Sequence, residues 1–412
     1  MEILIDCGQL LHELQTLAGF SEAPAPAITR IVFSEAERRA RGYVKDLCAR
    51  AGLEVRDDAA GNTFALWPGE LPSQPAVGAG SHIDAIPNAG MYDGTVGVLG
   101  ALEAIRALRR AGFRPRRSIE LLIFTAEEPT RFGIGCLGSR LLSGSLGASA
   151  GEQLKDQAGK TLNQIRAETG LRGDLAGVRL PAGHYFAFLE LHIEQGPLLE
   201  RLQMPVGIVT AIAAPASLRI VIEGEGGHAG GMLMAARHDA LCAAAELILA
   251  VEAAALSTGA ADTVATAGVC EVFPGAVNSV PSRVRLEVDV RDIELERRER
   301  VLAAIAQAGA AIAARRKVSV HSETVNADAP ARCDEKIVAA LARACGKSGL
   351  QFEPMVSRAY HDSLFMSRAG PVGMLFIPCR GGVSHRPDEF ASPEAIANGT
   401  LVLAHALAEL AG

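Results

Sequence analysis

Apolar positions recur along the chain at two spacings, and the spacing predicts the elements. Leu4, Leu11, Leu14 and Leu17 mark a helix over 4–18, and 35–51 reads as a second helix stopped by Gly52. Stretches 53–57 and 62–67 pair as a hairpin around Ala60-Gly61-Asn62. The short apolar run 76–79 predicts a strand that leads into His82. Val98, Leu99, Leu102, Ile105 and Leu108 fall at helical spacing and give a helix over 95–111, ended by Gly112. A strand over 119–124, a polar irregular stretch over 143–182 and a strand over 185–191 follow. Strands alternating with helices predict an α/β layer with its sites at strand C-terminal ends.

The pattern changes near Gly207. Strand 218–223, helix 239–256, strands 263–273 and 283–291, helix 294–315 and a short strand over 318–320 follow in the order β-α-β-β-α-β. That is the ferredoxin-like order. Helix 336–346, strand 372–377 and helix 393–410 then resume the first pattern. The expected architecture is two-domain α/β: a catalytic domain over 1–206 and 325–412, with a lid and dimerisation domain inserted at 207–324.

Composition narrows the function class. A net charge of -7 leaves no basic footprint for nucleic acid. Apolar residues make up 49% of the chain, yet no run approaches the roughly 18 apolar residues of a membrane span. The eight cysteines form no CxxC pair, which predicts free thiols in a reducing compartment. The first ten residues carry Glu2 and Asp6 and lack a signal-peptide pattern, so a soluble cytoplasmic protein is expected.

Five residues share one setting. His82, Asp93, Glu128, His192 and His385 all fall at predicted strand or helix ends beside glycines. Each alone has a plain reading: a loop histidine, a solvated glutamate, a helix N-cap. Together they have the N/O donor set of a divalent-metal site. A bridging carboxylate with one histidine and one further ligand on each side would hold two ions about 3.5–4 Å apart. Asp84, two residues after His82, is expected to fix that imidazole's tautomer through its carboxylate. Glu127, beside a ligand, is the expected general base for a metal-activated water.

These motifs carry a resemblance. Gly-Ser-His-Ile-Asp (80–84), Asp93-Gly94, Thr-Ala-Glu-Glu (125–128), His-Ile-Glu-Gln-Gly-Pro (192–197) and Gly-Gly-His-Ala-Gly (226–230) stand in the order of the M20-type metallopeptidase-related amidohydrolases. Within them the chain resembles the branch of N-carbamoyl-L-amino-acid, allantoate and ureidoglycolate amidohydrolases. Stretches 127–134, 210–218 and 357–366 lean toward the ureidoglycolate type. The resemblance implies His82, Asp93, Glu128, His192 and His385 as ligands, Asp93 as the bridge and Glu127 as the base. It implies manganese, although zinc also suits the ligands, a small ureido-acid substrate, and a homodimer formed through the inserted domain.

The resemblance also implies that His228 stabilises the oxyanion in the partner subunit's site, and that Gln195, Asn278, Arg291 and His361 bind substrate. Arg291 offers a fork for a carboxylate, and Asn278 offers both a donor and an acceptor. One departure bears on substrate choice. Carbamoyl-amino-acid hydrolases usually read Gly-Ala-Gly-His-Asp where this chain reads Arg358-Ala359-Tyr360-His361-Asp362. Tyr360 adds bulk and a hydroxyl, which points to ureidoglycolate, with an N-carbamoyl-amino acid or allantoate as the alternative. A metal-binding interaction protein without turnover is a different class, and the intact Glu127 argues against it.

Overall fold

The computed structural model describes residues 1–412. The chain forms two compact units, one of Met1–Thr210, Arg332–Ser357 and His361–Gly412, the other of Ala211–Ala331 with Arg358–Tyr360. In chain order the main elements are α1 (Cys7–Ala18), α2 (Glu35–Arg50), β1 (Glu54–Asp57), β2 (Thr63–Trp67), β3 (Ala76–His82), α3 (Thr95–Arg110), β4 (Ile119–Phe124), β5 (Tyr185–Ile193) and β6 (Val206–Ile212). Then come β7 (Ala214–Glu223), α4 (Ala240–Leu256), β8 (Val264–Phe273), β9 (Arg283–Asp292), α5 (Leu295–Arg316) and β10 (Ser319–Ala327). The chain closes with α6 (Glu335–Lys347), β11 (Phe352–Ser357), β12 (Val372–Ile377) and α7 (Pro393–Ala411).

In the first unit the sheet runs β6-β12-β5-β3-β4-β2-β1, and β11 pairs with β6. Neighbours β12, β5, β3 and β4 are all parallel, so their C-terminal ends lie on one edge of the sheet. Helix α3 is buried along most of its length. It approaches β5 closely because Gly97 and Gly100 face it: a Cβ on Gly97 would lie 2.3 Å from the Leu191 carbonyl oxygen. That close seat brings the N-terminus of α3 to the edge where the parallel strands end.

In the second unit the sheet order is β8-β9-β7-β10, with every neighbour antiparallel. Its core alternates along β7 and β9, from Leu218, Ile220 and Ile222 to Val284, Leu286, Val288 and Val290, and packs on α4 and α5. The units divide near Ala211 because β6 runs on as a strand of the first sheet, pairing with β12.

Two element expectations need correction. Helix α1 starts at Cys7, because the Asp6 carboxylate accepts the Gln9 amide at 2.9 Å and caps it there; Leu4 lies outside the helix and is exposed. Strand β10 extends to Ala327, well past the short run expected over 318–320. Its side chains are mostly polar and exposed, so they carry no apolar alternation, and the backbone pairing with β7 defines it. Strands β6 and β11 were also not anticipated. All eight cysteines are free, and no helix is long and apolar enough to cross a membrane.

Candidate metal centre

Neighbouring parallel strands deliver the candidate ligands side by side. His82 closes β3 and pairs with Phe124 at the end of β4, and Glu127 and Glu128 follow just beyond. His192 lies near the end of β5, opposite Phe376 of β12. The loop after β12 carries His385. Asp93 sits at the entry of α3 beside Gly94, whose φ is +65° and whose added Cβ would fall 2.5 Å from His82 Nε2. Only glycine takes that conformation cheaply and leaves the imidazole its space.

Asp93 is the common member of two groups. Its Oδ1 lies 3.3 Å from His82 Nε2 and 3.3 Å from His192 Nε2. Its Oδ2 lies 3.4 Å from His385 Nε2, which is itself 3.3 Å from Glu128 Oε1. His82-Asp93-His192 and Asp93-Glu128-His385 therefore each converge on a point that could hold a metal ion. All five residues except His385 are buried.

The hydrogen-bond pattern fits cations at these points. His82 Nδ1 lies 3.0 Å from the Asp84 carbonyl, and His192 Nδ1 lies 2.9 Å from the Ile193 carbonyl. A carbonyl only accepts, so each Nδ1 carries a proton; the Nε2 of a neutral His82 turns its lone pair toward Asp93, while His192 Nε2 also accepts the Gly94 amide at 3.1 Å. At His82 a lone pair facing a carboxylate oxygen at 3.3 Å is stable only with a proton or a cation between them. In the protein alone Asp93 is held well below the usual carboxylate range: burial opposes this, and the hydrogen bonds to His192, His385 and His82 outweigh it.

The expected role of Asp84 needs correction. Its backbone carbonyl, not its carboxylate, meets His82 Nδ1; Oδ1 stands 3.7 Å away. The carboxylate instead accepts the amides of Glu127 at 3.2 Å and Glu128 at 3.0 Å. Asp84 thus sets both glutamates through their backbone. Its burial lifts its pKa to about 6.

Glu127 belongs to neither convergent group. Its Oε2 is 3.7 Å from His82 Nε2, and its Oε1 accepts the Cys136 thiol at 3.3 Å. Burial pushes Glu127 well above its ordinary value; His82 opposes this and Glu128, Asp362 and Asp93 add to it. Four non-glycine residues around the centre have positive φ: Ala126, Cys136, Gln195 and His385. Such backbone conformations persist only where surrounding bonds hold them.

The remaining expected residues fall into two sets. Gln195 Nε2 donates to Asp93 Oδ2 at 2.7 Å and to Ser384 Oγ at 3.2 Å, and its Oε1 is buried without a partner. His361 is buried with its ring 4.5 Å from that of His192 and its Nε2 3.1 Å from Ser357 Oγ; burial, then the neighbouring His192, hold it well below its ordinary pKa. The other set belongs to the second unit. His228 is exposed on a two-residue pairing with 279–280, and Asn278 adjoins it through a 2.8 Å bond from the Ala229 amide to the Asn278 carbonyl. Arg291, on β9, donates to Asp289 Oδ2 at 2.7 Å and to the Arg358 carbonyl at 3.0 Å. Tyr360 is half-buried in the segment grouped with that unit.

Sequence reasoning missed Cys136, Ser384 and Glu389. Ser384 Oγ lies 2.9 Å from Asp93 Oδ2, and Glu389 accepts the amides of Tyr92 and Asp93. Ser384 adjoins His385, and that adjacency was the one available signal. Glu389 reaches Asp93 across 296 residues, which no local pattern reports.

The protonated histidines give the metal-free protein a pH signature. Hydrogen bonds to Asp93 and Glu128 raise His385 to about 10, with burial opposing. A raised folded-state pKa stabilises the fold fully below the unfolded value of about 6.5, and that stability is lost as pH rises through the folded value. Burial of Asp84 acts with the same sign at lower pH. The melting temperature of chelator-stripped protein should therefore fall from pH 6.5 toward pH 10, and His385→Asn should flatten part of the fall. A flat profile for the unmutated protein would contradict this geometry.

Comparison with known proteins gives the family. Residues 78–409 match Peptidase family M20/M25/M40. The chain is 51% identical to the ureidoglycolate hydrolase of Arabidopsis thaliana, covering 98% of this chain and 87% of that protein. It is 37% identical to the N-carbamoyl-L-amino acid amidohydrolase of Geobacillus stearothermophilus, covering 99% of each. Crystal structures of AtUAH in complex with glyoxylate and with (S)-hydroxyglycine superpose with a TM-score of 0.88 at 50% identity, covering 99% of this chain and 98% of theirs. The chain belongs to Peptidase family M20/M25/M40, among its hydrolases of linear amide C–N bonds.

Proposed function

We propose that the protein is a binuclear-metal amidohydrolase that cleaves the ureido C–N bond of (S)-ureidoglycolate. The observation that carries the reading is Asp93, with imidazole nitrogens against both of its oxygens and Glu127 close by but outside both groups. His82, Asp93 and His192 would hold one divalent ion, and Asp93, Glu128 and His385 the other. Manganese is the metal implied, and the N/O donors also suit zinc. Bound there, the ions would supply Lewis-acid polarisation of the ureido carbonyl and a water acidic enough to attack it.

The chain's own residues do the rest. Glu127 takes the water's proton and delivers it to the leaving nitrogen; its raised pKa suits a group that must both accept and release. The carbamate released breaks down to carbon dioxide and ammonia, and the hydroxyglycine collapses to glyoxylate and a second ammonia. Gln195 Oε1, buried and unpartnered, is a ready acceptor for a substrate N–H. Arg291 and Asn278 bind the carboxylate end. Substrate choice is supported by the names of the ureidoglycolate relatives and by Tyr360, whose bulk costs nothing to a substrate that bears only a hydroxyl on its α-carbon.

His228 acts on the oxyanion in the site of a partner subunit. A homodimer through the second unit is supported by its surface: β8 is a sheet edge, and Leu241, Leu249 and Leu256 of α4 are exposed. Exposed apolar helix faces and open edges are liabilities that a partner removes.

Four experiments test this reading. In Glu127→Gln the metal content should stay at the wild-type level while turnover falls by about 10²-fold or more; Glu128→Gln should lose metal. The reverse pattern would swap the two roles. Heterodimers of His228→Ala with Glu127→Gln subunits should regain activity, since one intact hybrid site forms; none in verified heterodimers sinks the cross-subunit role. Ammonia release by manganese-loaded enzyme should be fastest from ureidoglycolate, against allantoate and N-carbamoyl-amino acids. Tyr360→Gly should shift the preference toward N-carbamoyl substrates with larger side chains. A wild type that prefers N-carbamoyl-methionine would make the carbamoyl-amino-acid reading the correct one.

A further inference from the structure

We infer that Glu389, acting through Ser384, is a positioning residue that braces the Asp93 carboxylate and ties the His385 loop to it. The inference rests on the two-ion reading above and concerns how one half of that site is held.

The brace is built from one buried carboxylate. Glu389 is 5% exposed. Its Oε1 accepts the Tyr92 amide at 2.9 Å and the Asp93 amide at 3.1 Å, at the entry of α3. Its Oε2 lies 3.0 Å from Ser384 Oγ, and that hydroxyl lies 2.9 Å from Asp93 Oδ2. The Glu389 side chain is laid flat against the backbone at Gly90, where an added Cβ would fall 2.3 Å from Glu389 Cβ. The loop that holds Ser384, His385 and Glu389 is closed at its base by the Arg380 amide on the Phe390 carbonyl at 2.8 Å.

The chemistry of the hydroxyl gives the brace a direction. Ser384 has one proton and two carboxylate neighbours, Asp93 and Glu389, and it also accepts from Gln195 Nε2 at 3.2 Å. It can satisfy only one carboxylate at a time. Its proton on Asp93 Oδ2 ties that carboxylate to the His385 loop, while Glu389 holds Ser384 and the Tyr92 and Asp93 amides in place. The link through Ser384 is local to Oδ2 and the His385 loop. His82 and His192 stand on β3 and β5 and have their own carbonyl partners. Loss of the brace should therefore weaken one ion and spare the other.

The test uses the full-length enzyme reconstituted with Mn(II). Metal content is measured by elemental analysis at a series of free-metal concentrations, and coupling between the ions by electron paramagnetic resonance. Wild type should bind two ions per chain with a spin-coupled spectrum. Glu389→Ala should keep wild-type circular dichroism and a cooperative melt. Its second ion should bind about 10- to 100-fold more weakly, and its spectrum should change to that of an isolated ion. Glu389→Gln should keep both ions, because its carbonyl can accept both amides and its NH2 can donate to Ser384 Oγ. Ser384→Ala should weaken the second ion alone. Two ions at wild-type affinity in Glu389→Ala, equal loss of both ions, or a Glu389→Gln enzyme as damaged as Glu389→Ala would each overturn the brace. If Glu389→Ala fails to fold, Ser384→Ala decides: an unchanged second ion overturns the proposal. A wild type that binds one ion or none fails at the earlier step and overturns the two-ion reading itself.

Discussion

The Asp93 carboxylate, buried among three imidazole nitrogens, is the interaction on which the site depends. Around it the protein buries further carboxylates: Asp84, Glu127, Glu128 and Glu389. Burying charge of one sign without compensation is expensive. Three histidines offset part of it in the protein alone, which is why His82 and His192 are raised above their ordinary values against the pull of burial. Two divalent cations would offset it more completely and would free the histidines to be neutral donors. Excess buried negative charge and Nδ1 protons committed to carbonyls are two expressions of the same requirement for cations.

The sheet supplies the convergence. Four neighbouring parallel strands end on one edge, and three of them bring a histidine or a glutamate pair to it directly or within a few residues. Helix α3 supplies Asp93 from the opposite direction, and it reaches that position because glycine at 97 lets it lie on β5. The site is therefore set by sheet register and helix seat, both held by a large apolar core. Loops contribute the parts under backbone strain, at Ala126, Cys136, Gln195 and His385.

Much of this was readable along the chain because the relevant signals are local. His82, Glu127, Glu128 and His192 follow apolar strand patterns closely, and Asp93 precedes a helix with strong periodicity. The order of elements in the second unit was likewise legible from alternation. What escaped was long-range or main-chain in origin. The Asp84 carboxylate turned out to serve two backbone amides, and the carbonyl of the same residue took the imidazole. Glu389 stands in the charged run Arg386-Pro387-Asp388-Glu389, and only the fold brings it to Asp93. Strand β10 carries few apolar residues, so side-chain periodicity could not mark its length.

Anomalous diffraction from crystals of the manganese-loaded protein tests the central claim most directly. Two anomalous peaks about 3.5–4 Å apart, one beside each oxygen of Asp93, are the expected result. A single peak, or peaks that make no contact with Asp93, would contradict it.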